Sequence, residues 1–148
     1  MPGDEWDAIS LNYSSGTTGN PKGVMLTHTN LVANLAQLAP TLRVSASDTV
    51  LAVLPFFHIY GMNVLLNSCL YVRAHVVTMP SFDLEKFLAA HQKYGITFTF
   101  IAPPIALALA NSPAINPADF AACAHIVCGA APLDEALARR VEDRLGIV

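Results

Sequence analysis

The segment Tyr13-Ser14-Ser15-Gly16-Thr17-Thr18-Gly19-Asn20-Pro21-Lys22-Gly23 has the composition of a loop that binds phosphate. Its glycines allow the backbone to turn sharply and to approach a ligand closely, because glycine has no Cβ atom. Its serines and threonines can donate hydrogen bonds, and its lysine carries a charge that suits phosphate. Loops of this kind form nests of backbone N–H groups around phosphate oxygens.

The segment differs from a Walker A loop, in which serine or threonine follows the lysine and a helix begins at once. Here a proline precedes Lys22 and a glycine follows it. The apolar residues Ile9, Leu11 and Tyr13 alternate as in a strand, and the apolar stretch 24–26 is too short for a helix. We therefore predict strand, loop and strand, and a polar hairpin loop without a ligand is the alternative.

The composition restricts the class of protein. A chain of 148 residues is long enough for one domain with a core, but 53% hydrophobic and 13% charged residues make it more apolar than most soluble proteins. No uninterrupted apolar run reaches the length of about 18 residues that a transmembrane helix needs. We interpret the apolar content as surfaces covered by further parts of a larger protein. A net charge of −3 without a basic cluster argues against nucleic acid as a partner.

The N-terminus and the cysteines indicate a cytoplasmic protein. Asp4, Glu5 and Asp7 make the N-terminus acidic, unlike the start of a signal peptide. Cys69, Cys123 and Cys128 are an odd number of cysteines in apolar settings, which indicates neither a disulfide framework nor a zinc site. We expect buried, reduced thiols.

Apolar strands alternate with helices from residue 49 onward. Strands are predicted at 49–54, 74–79, 97–101 and 125–128, and helices at 31–40, 62–71, 84–91, 103–109 and 133–145. Such alternation is typical of an α/β fold with a parallel sheet covered by helices on both faces. Ligands of such sheets bind beyond the carboxyl ends of strands, where the segments after Val53 and Cys128 lie.

Each of these two segments has a functional and a structural interpretation. Leu54-Pro55-Phe56-Phe57-His58-Ile59-Tyr60-Gly61 is an aromatic cluster with one histidine, which fits a pocket wall or a core with a satisfied histidine. Gly129-Ala130-Ala131-Pro132 leaves room for a flat ligand, but it equally fits a tight turn between strand and helix.

The stretch from Ser14 to Gly23 resembles the phosphate loop of the adenylate-forming superfamily, which includes acyl-CoA synthetases, 4-coumarate–CoA ligases, luciferases and peptide-synthetase adenylation domains. The segments around His58 and Gly129 bring the resemblance closest to the coumarate ligases and fatty-acyl-CoA synthetases. It covers residues 1–148 but only a middle part of the family's large N-terminal domain. It implies a partial AMP-binding domain, truncated at its C-terminus and without the mobile C-terminal domain.

The activity that the resemblance implies has two steps. A small-molecule carboxylic acid attacks the α-phosphate of ATP, giving acyl-AMP and pyrophosphate, and a thiol, usually coenzyme A, then accepts the acyl group. Mg²⁺ is expected to bridge phosphate oxygens. The family's glutamate ligand for this ion falls beyond residue 148, so no metal ligand is assigned in this chain.

The resemblance also assigns roles to residues. Lys22 is expected to add positive charge near the phosphates, and His58 and Tyr60 to line the acyl pocket. Because a carboxylate is already ionised near pH 7, His58 is expected to orient it or to gate its channel, and not to act as a general base. The β- and γ-phosphates are expected to contact Ser14, Ser15, Gly16, Thr17, Thr18 and Gly19, and adenine and the acyl group to contact Gly129, Ala130 and Ala131.

The sequence departs from the family pattern at one position and lacks several motifs. Coumarate ligases often have a coenzyme A-binding lysine after the Met-Pro pair, where this chain has Ser81. The Gly-Tyr-Gly-x-Thr-Glu segment, the ribose-binding aspartate, the hinge and the catalytic lysine are not among these residues, so we assign turnover to the parent protein. The alternatives are an inactive truncated nucleotide-binding remnant, or a peptide-synthetase or luciferase-like branch.

Overall fold

A computed structural model describes residues 7–14 and 19–147 in two sheets. Strands β1 (Ala8–Ser14) and β2 (Lys22–Thr27) form an antiparallel ribbon. A second sheet is parallel throughout and has the strand order β4-β3-β5-β6. Its strands are β3 (Thr49–Ala52), β4 (His75–Thr78), β5 (Phe98–Ile101) and β6 (His125–Cys128). The predicted strand-loop-strand unit and the predicted parallel sheet are both confirmed.

Helices cover both faces of the parallel sheet, as the sequence predicts. The helices are α1 (His28–Leu42), a π-helix (Tyr60–Asn67) that continues as α2 (Ser68–Val72), α3 (Leu84–Tyr94), α4 (Pro103–Asn111) and α5 (Glu135–Leu145), with a 3-10 turn at Pro117–Phe120. Leu51 and Ile101 face a core shared with α3, α4 and α5. Val50 and Phe98 face a second core on the side of the π-helix and α2. None of the helices in the described ranges is long and apolar enough to cross a membrane.

Side-chain caps and left-handed residues fix the helix ends. The Asp83 carboxylate accepts a hydrogen bond from the backbone N–H of Lys86 at 2.9 Å and so caps α3. Thr27 and Asn30 form a reciprocal capping box at the start of α1. Gly146 ends α5 in the left-handed conformation that glycine adopts without strain.

Two predicted helices differ from those in the structure. Helix α1 does not end at Pro40 but continues to Leu42. Because Pro40 is exposed in the last turn, its missing N–H removes one hydrogen bond near an end that already frays. The helix predicted at 62–71 is instead a π-helix followed by a short α-helix, a change of register that hydrophobic periodicity does not reveal.

The ribbon is a strand pair, as the alternation of apolar residues predicts, but its apolar face is exposed. Leu11 pairs with Met25 across the ribbon, and their exposed fractions are 63% and 70%. Tyr13, two residues further along the same face, is 73% exposed. Alternation therefore identifies the strand correctly, while burial depends on what packs against that face.

His91 is a buried polar residue on α3. Its Nδ1 atom donates to the carbonyl oxygen of Phe87 at 2.8 Å, so its Nε2 atom accepts from the Thr99 hydroxyl at 3.0 Å. Its ring lies between those of Phe87 and Phe120, with centroid distances of 4.5 and 4.6 Å. Burial lowers the pKa of His91, although the Phe87 carbonyl and Asp119 act in the opposite direction.

This histidine should make the free energy of unfolding depend on pH. Because the pKa of His91 is lower in the folded state, the unfolded state binds a proton first as pH falls. The contribution of neutral His91 to the free energy of unfolding is present above the pKa of the unfolded state, about 6.5. It is lost as pH falls toward the lower pKa of the folded state. Urea unfolding between pH 8 and pH 5 should show a steeper loss for the wild type than for His91→Leu. Parallel curves would contradict the prediction.

Candidate functional site

The carboxyl ends of the four parallel strands lie at one edge of the sheet, and three sequence segments of interest follow them. The aromatic segment follows β3, the Met79-Pro80 pair follows β4, and the Gly-Ala-Ala-Pro turn follows β6. Since ligands of open parallel sheets bind at this edge, we treat it as the candidate site.

Tyr60 connects the aromatic segment to the ends of β5 and β6. Its hydroxyl donates to the carbonyl oxygen of Val127 at 3.2 Å and lies 3.5 Å from that of Ile101. Its ring makes an edge-on contact with Phe100 at a centroid distance of 6.2 Å. Burial raises the pKa of the Tyr60 phenol, and nearby Cys128 adds to this effect, so the hydroxyl stays a neutral donor.

Gly129 brings the turn after β6 against this tyrosine. A Cβ atom at position 129 would lie 2.8 Å from both Cζ and the hydroxyl oxygen of Tyr60, closer than atoms normally approach. The sequence leaves open whether the small residues of this turn make room for a flat ligand or form a tight turn. In this structure the space at Gly129 is filled by the tyrosine ring, a contact that the sequence alone does not predict.

Replacing Gly129 with alanine should therefore destabilise the protein through Tyr60. Overpacking of this kind costs about 1–3 kcal/mol. The same substitution should cost much less in a Tyr60→Ala background, because the clashing ring is gone. Denaturant unfolding of the four proteins in this double-mutant cycle measures the coupling. Equal costs in both backgrounds would show that the clash with Tyr60 is not the cause.

Ala130 adds backbone strain to the same turn. Its φ angle is +72°, in the left-handed region that residues other than glycine enter at a cost of about 1–2 kcal/mol. Both Ala130 and Ala131 are exposed. Strain of this type is often found at ligand-binding turns, where the surrounding structure holds an unfavourable conformation in place.

His58 is exposed at the same edge, and a local hydrogen bond orients its ring. Its Nδ1 atom accepts from the backbone N–H of Tyr60 at 3.1 Å. A neutral ring held in this way carries its proton on Nε2, which leaves that nitrogen to donate to a ligand.

Two hollows flank the aromatic segment. One, of about 260 Å³, lies between the ends of β3 and β4 and is lined by Pro55, Phe56, Met79 and Pro80 among others. The other is a groove of about 400 Å³ between α1 and the π-helix, and Ile59 contributes to it. Phe57 itself is 87% exposed. The segment is thus a surface wall next to open space, which favours the pocket interpretation over a closed core.

The ribbon carries the described part of the loop that the sequence predicts to bind phosphate. Ser14 ends β1 and Lys22 begins β2, opposite each other in the register, and both are exposed. Gly19 has a φ angle of +124°, which residues with a side chain rarely adopt. Ser15, Gly16, Thr17 and Thr18 lie outside the described residues. No hydrogen bond or ion pair joins Lys22 to His58 or Tyr60 within the described ranges.

Metal binding by protein side chains has no support in the described ranges, where no group of three or more His, Cys, Asp or Glu residues could hold an ion. Cys69 and Cys123 are buried free thiols, as expected, and burial raises the pKa of Cys123 to about 11. Cys128 is also free, but it is only partly buried, because it lies at the strand end beside the candidate site. The expectation of three fully buried thiols is therefore wrong for this residue.

Two residues of this edge are absent from the predicted site. A Cβ atom on Gly61 would lie 2.2 Å from the carbonyl oxygen of Pro55, so the helix starts in direct contact with the backbone of the segment before it. Asn63 is buried at 1% exposure and hydrogen-bonded on both sides. A glycine in the first turn of an apolar helix and two asparagines four residues apart among apolar residues were the available signals.

Comparison with known proteins identifies a family, a curated relative and two solved structures that resemble this chain. A family model described as AMP-binding enzyme matches residues 1–148. The "4-coumarate--CoA ligase 2" of Nicotiana tabacum is 44% identical over 135 residues, which are 88% of this chain and 25% of that protein. The crystal structure of ATP-bound MatB from Rhodopseudomonas palustris superimposes with a TM-score of 0.89 at 29% identity, covering 97% of this chain and 28% of that one. The crystal structure of a long-chain-fatty-acid–CoA ligase (FadD1) from Archaeoglobus fulgidus superimposes with a TM-score of 0.82 at 33% identity, covering 96% of this chain and 29% of that one. The chain spans about a quarter of the length of the curated relatives it matches.

Proposed function

This chain belongs to the AMP-binding enzyme family, and from that premise we propose that the protein containing it activates a carboxylic acid with ATP and transfers the acyl group to coenzyme A. The observation that carries the proposal is the contact between Tyr60 and Gly129 at the carboxyl ends of β5 and β6, with His58 exposed beside it. This contact joins the two segments that the resemblance assigns to the acyl group.

The ribbon supplies the nucleotide end of the proposed site. Ser14, Gly19 and the residues between them would surround the β- and γ-phosphates, and Lys22 would contribute positive charge at the exit of the loop. Developing negative charge on the leaving pyrophosphate is best stabilised by donors and charges that are already in position. The exposure of Ser14 and Lys22 and the positive φ angle of Gly19 are consistent with a ligand-facing loop.

The carboxyl ends of the sheet supply the acyl end. The Nε2–H group of His58 would donate to the substrate carboxylate and aim it at the α-phosphate, a step that depends on orientation more than on proton transfer. Tyr60 would form one wall of the acyl cavity. The exposed small residues Ala130 and Ala131 would allow adenine and the acyl group to lie against the backbone, while Gly129 would bring the turn close to the Tyr60 ring behind them.

The cofactor and thiol assignments extend this proposal. Mg²⁺ commonly keeps several waters and binds through substrate phosphates with one or two carboxylates, so it would be held here mainly by ATP. Coenzyme A would approach near the end of β4. At this position the family often has a lysine and this chain has Ser81, so other groups would bind coenzyme A.

The acid substrate is best identified with a panel. The relatives are named for 4-coumarate and for long-chain fatty acids, so aromatic and aliphatic acids of graded length should be compared. The full-length protein should release AMP only when acid, ATP and Mg²⁺ are all present, and form acyl-CoA when coenzyme A is added. No release with any acid would favour an inactive remnant, and acyl-AMP formation without acyl-CoA would favour another branch of the family.

A His58→Ala variant should bind the acid less well. Loss of one charge-assisted hydrogen bond is worth about 1.5–3 kcal/mol, which corresponds to a rise in KM for the acid of at least about tenfold. The KM for ATP should change little, because His58 lies on the acyl side. His75→Ala is the matched control, since His75 is also exposed but begins β4 at the opposite edge of the sheet. Equal kinetics for His58→Ala and wild type would contradict the assignment.

A further inference from the structure

Asn63 lies in the centre of the π-helix and is among the most buried polar residues that the structure describes, with 1% of its surface exposed. Its Nδ2 atom donates to Oδ1 of Asn34 on α1 at 2.7 Å, and its Oδ1 atom accepts from Nδ2 of Asn67 at 3.0 Å. A buried carboxamide is retained in an apolar layer only when its polar atoms are paired in this way. The pairing commits the amide to its protein partners, which indicates a positional role and not ligand recognition.

The backbone of Asn63 takes part in the unusual helical register. Its carbonyl oxygen accepts from the backbone N–H of Ser68, five residues on, which is the hydrogen bond that defines a π-helix. The Ser68 hydroxyl donates to the same oxygen at 3.2 Å, and Ser68 is itself buried. Asn63 is thus held at its backbone by Ser68 and at its side chain by Asn34 and Asn67.

The register matters because the π-helix begins at Tyr60. A return to α-helical register between Tyr60 and Ser68 would rotate the first turn against the rest of the helix. That rotation would move the Tyr60 hydroxyl away from the carbonyl oxygen of Val127. The Asn63 side chain also contacts α1, through its hydrogen bond to Asn34. Helix α1 follows directly on β2, the strand that begins at Lys22. The Asn34–Asn63 hydrogen bond therefore links the element after the phosphate loop to the element that carries the acyl wall.

We propose that Asn63 is a positioning residue, which holds the π-register through its hydrogen bonds to Asn34 and Asn67 and so sets Tyr60 and His58 relative to the nucleotide-binding ribbon. This inference rests on the proposed function for its kinetic consequence. Its structural consequence, the register of residues 60–67, is independent of any activity.

The test replaces Asn63 with leucine, which has a similar size and no polar atoms, in the full-length protein. A crystal structure of the variant should show loss of the hydrogen bond from Ser68 N–H to residue 63 and separation of Tyr60 from Val127. The KM for the acid should rise about tenfold or more, since small misplacements of binding groups are costly, while the KM for ATP stays within about twofold. A preserved π-helix with Tyr60 in place would overturn the proposal.

Two variants of Asn34 separate the hydrogen bond from simple loss of volume. Asn34→Asp keeps an oxygen that accepts from Asn63 and should resemble the wild type. Asn34→Leu removes that oxygen and should resemble Asn63→Leu. The double variant Asn34→Leu/Asn63→Leu should raise the KM for the acid no further than either single variant does. Additive effects would show that the two residues act separately and would contradict the proposal.

Gln92→Leu is the matched control for stability. It removes another part-buried carboxamide hydrogen bond, from Gln92 to Asp119 at 2.6 Å, on α3 and away from the candidate site. Gln92→Leu should lower the unfolding midpoint without raising the KM for the acid, and an equal rise in KM would reduce Asn63 to a merely structural role. If the wild type activates no acid, the proposed function fails, and the register seen in the Asn63→Leu crystal structure still decides this inference.

Discussion

Replacing Lys22 with alanine should slow acid-dependent exchange between pyrophosphate and ATP by about a hundredfold, or roughly 2.7 kcal/mol of transition-state stabilisation. The proposed reaction develops negative charge on the leaving pyrophosphate, and Lys22 is the charged residue at the exit of the loop. Its side chain is exposed at the start of β2, so its removal should leave the free energy of unfolding nearly unchanged. Exchange of labelled pyrophosphate at saturating acid measures the effect.

Two further variants make this result specific. Lys86→Ala removes another exposed lysine, on α3, and should not alter the exchange rate. Lys22→Arg keeps the charge but changes its shape and reach, so it should recover part of the rate. A Lys22→Ala rate equal to that of the wild type would remove Lys22 from the nucleotide site.

The parts of the fold that the sequence predicts are those governed by local rules. A short and mostly apolar run such as Phe98–Ile101 is typical of a strand in the middle of a covered sheet, where both of its faces are buried. Asp83 and Gly146 mark helix ends because the groups that cap a helix lie within a few residues of its end. Pro103 likewise begins α4, where its missing N–H is not needed.

The features that the sequence does not predict depend on contacts between distant residues. Gly129 contacts Tyr60, 69 positions earlier in the chain, so neither residue reveals the contact alone. His91 belongs to the apolar face of α3 in the sequence, but only the structure shows Thr99 as its hydrogen-bond partner. The exposed ribbon face is a third case, since alternation of Ile9, Leu11 and Tyr13 is the same whether that face is covered or not.

The π-helix combines both kinds of feature. Apolar residues between positions 62 and 71 predict a helix, and a helix is present at 60–72, but its first eight residues follow a wider register. That register is maintained by the carbonyl oxygen of Asn63 with Ser68 and by the side chain of Asn34 on another element. The sequence therefore predicts where a helix forms, while tertiary hydrogen bonds determine which type it is.

A Gly61→Ala substitution should be the most disruptive single-methyl change at the candidate site. The new Cβ atom would lie 2.2 Å from the carbonyl oxygen of Pro55, 2.8 Å from its carbonyl carbon and 3.1 Å from the carbonyl oxygen of Leu54. All three are backbone atoms, so no side-chain rotation can relieve the clash. The start of the π-helix must separate from the segment before it, at a cost of about 3 kcal/mol or more.

Denaturant unfolding and acid kinetics together test this expectation. Gly61→Ala should lower the free energy of unfolding and, because His58 and Tyr60 lie in the chain between Pro55 and Gly61, should also raise the KM for the acid. Gly23→Ala is the matched control for stability, because the nearest atom to its new Cβ is Cε1 of Tyr13 at 3.8 Å, an ordinary contact distance. If Gly61→Ala is as stable as Gly23→Ala, the helix start is not held against Pro55, and the geometry that brings Tyr60 to the strand ends has to be revised.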